Sequence, residues 1–474
     1  MNSYRFRISS ADFDNLHRHL FPGDGDEHGA VLLAGISESS RETRFLVRQV
    51  LLAKDGVDYV PGRRGYRMLT SDFVAKASHM AAKEHLCYFA VHCHGGRDSV
   101  SFSETDLASH QRGYPALLDI TCGGPVGALV FAENAVAGEI WTRSGTRPLN
   151  DMTVVGLNCR ELFPAPSNQA AAFDGMFHRQ SLIFGQVGQR RLAKAKIGII
   201  GLGGVGSLVN ELLARVGVGE IVAVDPEKLE LSNLSRVVGS RRWDSQDWLV
   251  TSKWPALKRF GEWLATPKVE VARRVACEAN HAVRFHAIRG DIVDRETALK
   301  MADVDYLFLC ADTMQSRLVF NALVHQYLIP GVQIGSKVTV GDDGKVGDVF
   351  SVSRMILPFT GGGCLLCNQL IDAGKLQDEA ISEEERKRQA YVKDVKAPSV
   401  ITLNAVGAAQ GVNDFLVGFQ GMFQSSAQPG YRQHFARERH WTKVGLNYHA
   451  NCIHCGTHAS SAFGKGDRAS LPCR

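Results

Sequence analysis

The stretch from Lys196 to Arg215 constrains this chain most. An apolar run, Lys196–Ile200, leads into Gly201-Leu202-Gly203-Gly204-Val205-Gly206, and a helical pattern, Ser207–Arg215, follows. The G-x-G-x-x-G spacing permits a tight turn and brings a phosphate close to the amino end of a helix, where unpaired N–H groups favour anions. A second apolar run ends at Asp225, an acid placed to bind ribose hydroxyls. Up to this point the pattern suits NAD as well as ATP.

Further apolar runs at 196–200, 220–224, 283–288, 305–310 and 331–338 alternate with helical patterns, which predicts a mostly parallel sheet. Residues 1–145 differ: short runs (Ala30–Ala34, Arg44–Leu52, Tyr88–Val91, Gly127–Ala132) with a helical pattern over Thr70–His85 predict an α+β unit. With 474 residues, two or three cores are expected. The expected division is 1–147 as one domain, 148–175 as a linker, 176–460 as a second domain and 461–474 as a loose tail. Leu376–Lys396 is charge-dense and predicts an exposed helix or loop, whereas Ser399–Gly418 predicts a buried helix.

An apolar fraction of 45%, a charged fraction of 22% and a net charge of +5 describe an ordinary globular chain and give no basic tract for nucleic acid. The amino terminus has no apolar leader and no stretch reads as a membrane span, so a cytoplasmic protein without nucleic-acid or membrane partners is expected.

His92-Cys93-His94 puts two imidazoles on one face of a strand, where they can share an ion. Ser103-Glu104-Thr105-Asp106 then places a carboxylate about a turn into a helix as a third ligand, leaving a fourth position open, as in catalytic zinc sites. Such chemistry needs a separate proton shuttle, and Glu27, ahead of the apolar strand Gly29–Gly35, suits it. This set resembles the JAB/MPN (JAMM) metallopeptidases across residues 1–145. The resemblance implies zinc on His92, His94 and Asp106, Ser103 at the oxyanion and Glu27 as general acid/base. Gly95 stands where that family commonly has proline, and the spacer before Ser103 is one residue longer.

The residues after Asp225 separate ATP from NAD. Asn233 and Arg236 in Asn233-Leu234-Ser235-Arg236, and Lys268 after Pro267, supply polar and cationic groups for a triphosphate, and Asp312, after the run ending at Leu309, suits magnesium. Together with Gly201, Gly203, Gly206 and Asp225 these residues resemble the MoeB/ThiF and ubiquitin-activating adenylyltransferases across 176–456. The resemblance implies ATP and Mg2+ as cofactors and a homodimer in which Arg179, in His178-Arg179-Gln180, reaches the partner's nucleotide. Glu227 replaces the second acid of the family's usual D-x-D. An insertion carrying Trp243, Trp248, Trp254 and Trp263 precedes Lys268. It is expected to form a small extra core, with a docking surface as the alternative.

Cys364-Leu365-Leu366-Cys367 and Cys452-Ile453-His454-Cys455 offer four thiolates, a closed structural zinc site; a redox pair is the alternative. Residues 368–451 contain no cysteine, although many ThiF relatives carry a catalytic one there. The acyl group is therefore expected to stop at the adenylate or to pass to a hydroxyl, Ser399 or Thr402, with Cys473 a weaker candidate.

The expected fold is α/β: a JAB/MPN unit followed by a Rossmann-like ThiF domain with a structural four-cysteine zinc site. The expected function is trimming or deconjugation of a ubiquitin-like protein and adenylation of its terminal carboxylate, with a conjugating enzyme as a further partner. This resembles bacterial ubiquitin-like conjugation systems, which suggests phage defence as the setting. Activation of a sulfur-carrier protein and a non-catalytic scaffold are the alternatives.

Overall fold

The predicted apolar runs become strands. The computed structural model describes residues 3–62, 67–166, 175–341, 343–359, 362–380 and 398–474. In the amino-terminal part, β1 (Ser3–Ser9), β2 (Gly29–Glu38), β3 (Glu42–Leu52), β4 (Cys87–Cys93), β5 (Val126–Phe131), β6 (Val136–Thr142), β7 (Gly145–Pro148), β8 (Asp151–Val155) and β9 (Arg160–Leu162) form one sheet, ordered β7-β6-β5-β4-β2-β3-β1-β8-β9. Helix α1 (Ser10–Leu20) covers one face with Phe13, Leu16 and Leu20 against Phe6 and Phe89. Helices α2 (Ser71–Glu84) and α3 (Glu104–Ile120) cover the other with Ala77, Ala81 and Leu118 against Val31, Leu33 and Tyr88. Covered on both sides, β2 and β5 are buried almost throughout, which is why they read as unbroken apolar runs. Thr70 caps α2 by accepting from Phe73 N at 3.3 Å.

Helix α4 (His178–Lys194) leads into the second sheet. Strands β10 (Lys196–Ile200), β11 (Glu220–Val224), β12 (Arg284–Ile288), β13 (Tyr306–Leu309), β14 (Gly331–Val340), β15 (Val346–Ile356), β16 (Tyr431–Phe435) and β17 (His440–Val444) are ordered β12-β11-β10-β13-β14-β15-β16-β17. The first five are parallel and the last three antiparallel. Intervening helices are α5 (Gly204–Arg215), α6 (Asp247–Val250), α7 (Pro255–Leu264), α8 (Lys268–Ala279), α9 (Arg295–Leu299), α10 (Met314–Gln326), α11 (Ala373–Ala380) and α12 (Ile401–Phe419). α5, α8 and α12 pack on one face through Leu213, Ala272 and Phe415, and α9 and α10 on the other through Ala298 and Phe320. The expected buried helix is thus α12. Leu376–Ala380 of the charge-dense segment lies in α11, and residues 381–397 fall outside the described residues.

Two expectations differ from the structure. The linker expected from residue 148 contains β8, which runs parallel to β1 with Phe6 opposite Met152 and Ile8 opposite Val154, so the first sheet extends to Leu162. Each of these strands has five residues or fewer, too little periodicity to register as a run. The tail is not loose. Phe463 is buried, Gly466 bridges Ile36, and the Arg48 guanidinium donates to the carbonyls of Phe463 and, at 2.9 Å, His458. Backbone pairing and a buried arginine hold it to the first sheet, and neither leaves a hydropathy signal.

An ionic cluster joins the two sheets. Arg7 and Arg44, both buried, donate to Asp305 Oδ1 at 3.1 and 2.9 Å and to the Val304 carbonyl at 3.0 and 2.9 Å. Burial raises the Asp305 carboxyl, but Arg44, Arg41 and Arg7 outweigh it and hold it at about 2, below its usual 3.8. A depressed carboxylate stabilises the fold above its unfolded value, so this contribution is present above about pH 4 and is lost as the pH falls towards 2. Asp305→Ala, which takes the shared carboxylate from two buried guanidiniums and leaves Arg7 with backbone carbonyls alone, is expected to cost about 3 kcal/mol in urea unfolding at neutral pH. A change no larger than that of an exposed pair contradicts this role.

Candidate functional site

His92 lies near the end of β4 and His94 just beyond it, with their Nε2 atoms 3.2 Å apart. Asp106 enters from the first turn of α3, its Oδ2 lying 3.6 Å from His92 Nε2 and 3.4 Å from His94 Nε2. A tetrahedral zinc with bonds of about 2.0–2.1 Å has ligand–ligand edges of about 3.3–3.4 Å, so this triangle fits that ion. His94 Nδ1 faces the Ser101 carbonyl at 3.1 Å. A carbonyl only accepts, so Nδ1 carries the proton and the Nε2 lone pair faces the cluster. Antiparallel pairing sets Gly29 of β2 opposite His92, and this brings Glu27 Oε1 to 4.0 Å from His94 Nε2. Burial raises the Glu27 carboxyl above its ordinary value, against the opposing pull of His94 and His92. At Asp106 burial is outweighed by the bonds from His92 and Ser103, and the carboxyl lies well below the usual range.

Ser103 is the helix cap. Its Oγ accepts from Asp106 N at 3.2 Å and its backbone N–H donates to Asp106 Oδ2 at 2.8 Å, forming a capping box, and the Oγ also donates to Oδ2 at 2.7 Å. An oxyanion role requires this hydroxyl to turn away from Asp106. One turn beyond Asp106, His110 Nδ1 meets Glu139 Oε2 at 2.8 Å, and its ring lies against Phe102 and Tyr114. This pair fixes α3 and hence Asp106. The sequence does not point to it, because Glu139 is remote in the chain and belongs to no motif.

In the second sheet, Gly201 has φ +89° and Gly203 precedes α5 without any capping side chain, leaving first-turn N–H groups for an anion. A Cβ at Gly206 would overlap the Gly201 carbonyl oxygen, so the turn closes only around glycine. Asp225 is buried; its Oδ2 accepts from Leu202 N at 2.7 Å and its Oδ1 from Glu227 N at 2.9 Å. Burial raises its carboxyl, and Lys268 opposes the shift. Lys268, buried at the start of α8, pairs with Glu227, which places it beside Asp225. Arg236 donates to the Ser232 carbonyl at 2.9 Å, and its Cδ is 3.3 Å from where a Cβ of Gly204 would stand. Asn233 is buried and accepts from Glu230 N at 3.1 Å, so it shapes the turn that carries Arg236. Asp312 is exposed just past β13, where Ala311 abuts Gly201. Arg179 is exposed on α4.

Asn404 belongs to none of the sequence motifs. It is buried in α12, its Nδ2 occupies the space that a Cβ at Gly204 would need, and its Oδ1 accepts from Ser336 Oγ at 2.6 Å. An asparagine among the apolar and small residues of the first half of this helix is the signal available in the sequence. Asn404 Nδ2 also donates to Ser399 Oγ at 3.2 Å, whereas Thr402 is exposed on the first turn of α12. Of the two hydroxyls, only Ser399 is tied to the glycine turn in this way.

Cys364, Cys367, Cys452 and Cys455 form one buried cluster, with Sγ–Sγ distances of 3.7, 3.6 and 3.6 Å for 364–367, 364–452 and 367–455. Zinc–sulfur bonds of about 2.3 Å give tetrahedral edges of about 3.8 Å, so the four fit a closed zinc site. Cys455→Ser is expected to lose one zinc per chain and to lower the thermal midpoint by on the order of 10 °C. Unchanged metal content contradicts the assignment.

The ThiF family model matches residues 177–444, more than half of the chain. The chain belongs to the ThiF family. Curated relatives of this ThiF part include the molybdopterin-synthase adenylyltransferase of Escherichia coli (27% identical over 148 residues, 31% of this chain and 52% of the relative). The sulfur carrier protein ThiS adenylyltransferase of Escherichia coli is 28% identical over 135 residues, covering 28% and 46%. Ubiquitin-like modifier-activating enzyme 5 of Caenorhabditis elegans is 26% identical over 142 residues, covering 28% and 29%. The chain thus spans about half or less of the length of these curated relatives. Among solved structures, E. coli MccB with ATP aligns at 20% identity over 60% of this chain and 75% of that one, with a TM-score of 0.43.

Proposed function

We propose that the protein is a two-site enzyme acting on the carboxyl terminus of a ubiquitin-like protein. Its amino-terminal part would cut the chain or a conjugate at that terminus, and its ThiF part would adenylate the exposed carboxylate with ATP and Mg2+. The observation that carries the first half is the triangle of His92, His94 and Asp106 with Glu27 at 4.0 Å. A zinc ion held there would act as a Lewis acid towards the scissile carbonyl and water. Glu27, its carboxyl raised by burial, takes a proton from water and returns it to the leaving amine. Ser103, once turned from Asp106, donates to the developing oxyanion.

Membership of the ThiF family and the uncapped α5 support the second half. The N–H groups after Gly203 receive phosphate, Asp225 holds the ribose, and Lys268, Arg236 and Asn233 line the phosphates. Asp312 would hold the magnesium ion, which would supply positive charge at the phosphates. A substrate carboxylate oxygen attacks the α-phosphorus and pyrophosphate leaves, its charge compensated by these cations. Arg179 acts on the nucleotide of a second copy, a role supported by Leu182, Ile183 and Val187, which stay exposed on the same helix. Ser399 is the preferred acyl acceptor, since Asn404 links it to the glycine turn.

A second reading, activation of a sulfur-carrier protein, is favoured by the relative that adenylates ThiS and by the absence of cysteine over 368–451. Intact-mass spectrometry of a candidate partner after reaction separates the two. An adenylate that converts to an ester or amide supports the proposal, and one that ends only as thiocarboxylate supports the sulfur reading. No adenylate on any cognate partner leaves a binding scaffold.

A further inference from the structure

The tryptophan-bearing insertion is not the small core expected of it. Trp243, Trp248, Trp254 and Trp263, four of the chain's six tryptophans, are 52%, 68%, 72% and 68% exposed. Tryptophan is highly buried on average, so four that are more than half exposed within this one insertion mark it as a candidate contact surface. In α7 only Gly261 is buried, against Leu249 and Val250 next to it. At about 100° per residue, Leu257, Phe260 and Leu264 group on one side of α7, with Trp263 and the capping Trp254 at its two edges and the buried Gly261 on the same side, and Lys258, Arg259 and Glu262 lie on the other side. Residues 253–264 carry three cations, Lys253, Lys258 and Arg259, against the single acid Glu262. Trp263 is flanked by Lys228 Nζ at 5.9 Å from its ring centroid, and Trp243 by Arg274 at 5.1 Å. The insertion is itself well anchored. Buried Asp244 accepts from Arg274 at 2.7 Å, and Lys228 bridges Pro267 next to the nucleotide turn.

We propose that this insertion docks the protein on an anionic lipid surface. An amphipathic helix with aromatic and aliphatic residues on one side and lysine and arginine on the other lies in the bilayer interface, with its rings at headgroup depth. The cations supply the preference for negative headgroups, each worth a small electrostatic increment within a Debye length. The four rings sit on separate segments: a turn, α6, the residue capping α7, and the last turn of α7. A deformable interface accommodates all four, whereas a groove shaped for one helix takes only the last two. No described helix is long and apolar enough to cross a membrane, so the contact is peripheral, and a search of the sequence for spans does not reveal it.

The test is flotation of the full-length protein with vesicles of phosphatidylcholine alone and of equal parts phosphatidylcholine and phosphatidylglycerol, with tryptophan emission read in parallel. Wild type is expected to float with the anionic vesicles, with a blue-shifted emission, and to do so more weakly at high salt. The triple variant Trp254→Ser, Phe260→Ser, Trp263→Ser is expected to bind roughly tenfold more weakly or worse. Lys258→Glu with Arg259→Glu is expected to remove the preference for phosphatidylglycerol. All these side chains are exposed, so the urea midpoint should hold in both variants. Failure of wild type to float, equal binding to phosphatidylcholine alone, or wild-type binding by the triple variant overturns the proposal. A wild-type oligomer that ignores vesicles and falls apart in the triple variant assigns the surface to a second copy and overturns it too.

Discussion

Asp312→Ala is expected to lower ATP–pyrophosphate exchange at least about a hundredfold while leaving the protein folded. Asp312 is exposed beyond the carboxyl end of β13, next to the strand whose Gly201 opens the phosphate turn, and it contributes nothing to either core. Its removal therefore takes away the carboxylate proposed to hold magnesium without disturbing packing. Lys268→Ala should lose exchange as well, but with a cost in stability, because Lys268 is buried and leaves Asp225 without its nearest cation. Comparing the two separates chemistry from folding. Exchange within a few-fold of wild type in Asp312→Ala removes Asp312 from the mechanism.

His94→Ala is expected to abolish cleavage of an extended or conjugated ubiquitin-like substrate, roughly a thousandfold or more, and to lower the zinc content by one. The variant leaves only two of the three proposed ligands, whose atoms lie 3.2, 3.4 and 3.6 Å apart, too few to retain the proposed ion. Glu27→Gln should give the same loss of cleavage with zinc retained, because Glu27 lies 4.0 Å from His94 and outside the triangle. Ser103→Ala is expected to weaken both cleavage and α3, since its hydroxyl caps the helix that delivers Asp106. Pyrophosphate exchange with a mature substrate should survive all three. Cleavage that persists without His94 and without zinc excludes the metallopeptidase.

Sequence is most informative where chemistry demands close spacing in the chain. His92 and His94 lie two residues apart on a strand, Ser103 and Asp106 three apart at a helix start, and the glycines 201, 203 and 206 in one turn; each group is drawn together by local geometry. The strands of both sheets are also readable, because burial on two faces leaves unbroken apolar runs. What escapes is tertiary. β8 and β9 are too short for periodicity, and the tail is held by Arg48 and backbone bonds that composition does not record. Asn404 reaches Gly204 from a distant part of the chain. The tryptophans of the insertion show the limit of hydropathy: apolar character predicts burial, but within α7 only Gly261 is buried and the rings stay outside.

The most direct test of the two-site account is ATP–pyrophosphate exchange with one ubiquitin-like partner in two forms, mature and carboxy-terminally extended, using wild type and Glu27→Gln. The account predicts exchange by both enzymes on the mature form and, on the extended form, by wild type alone. Equal exchange by Glu27→Gln on the extended form, or none by wild type on a mature partner that binds, contradicts it.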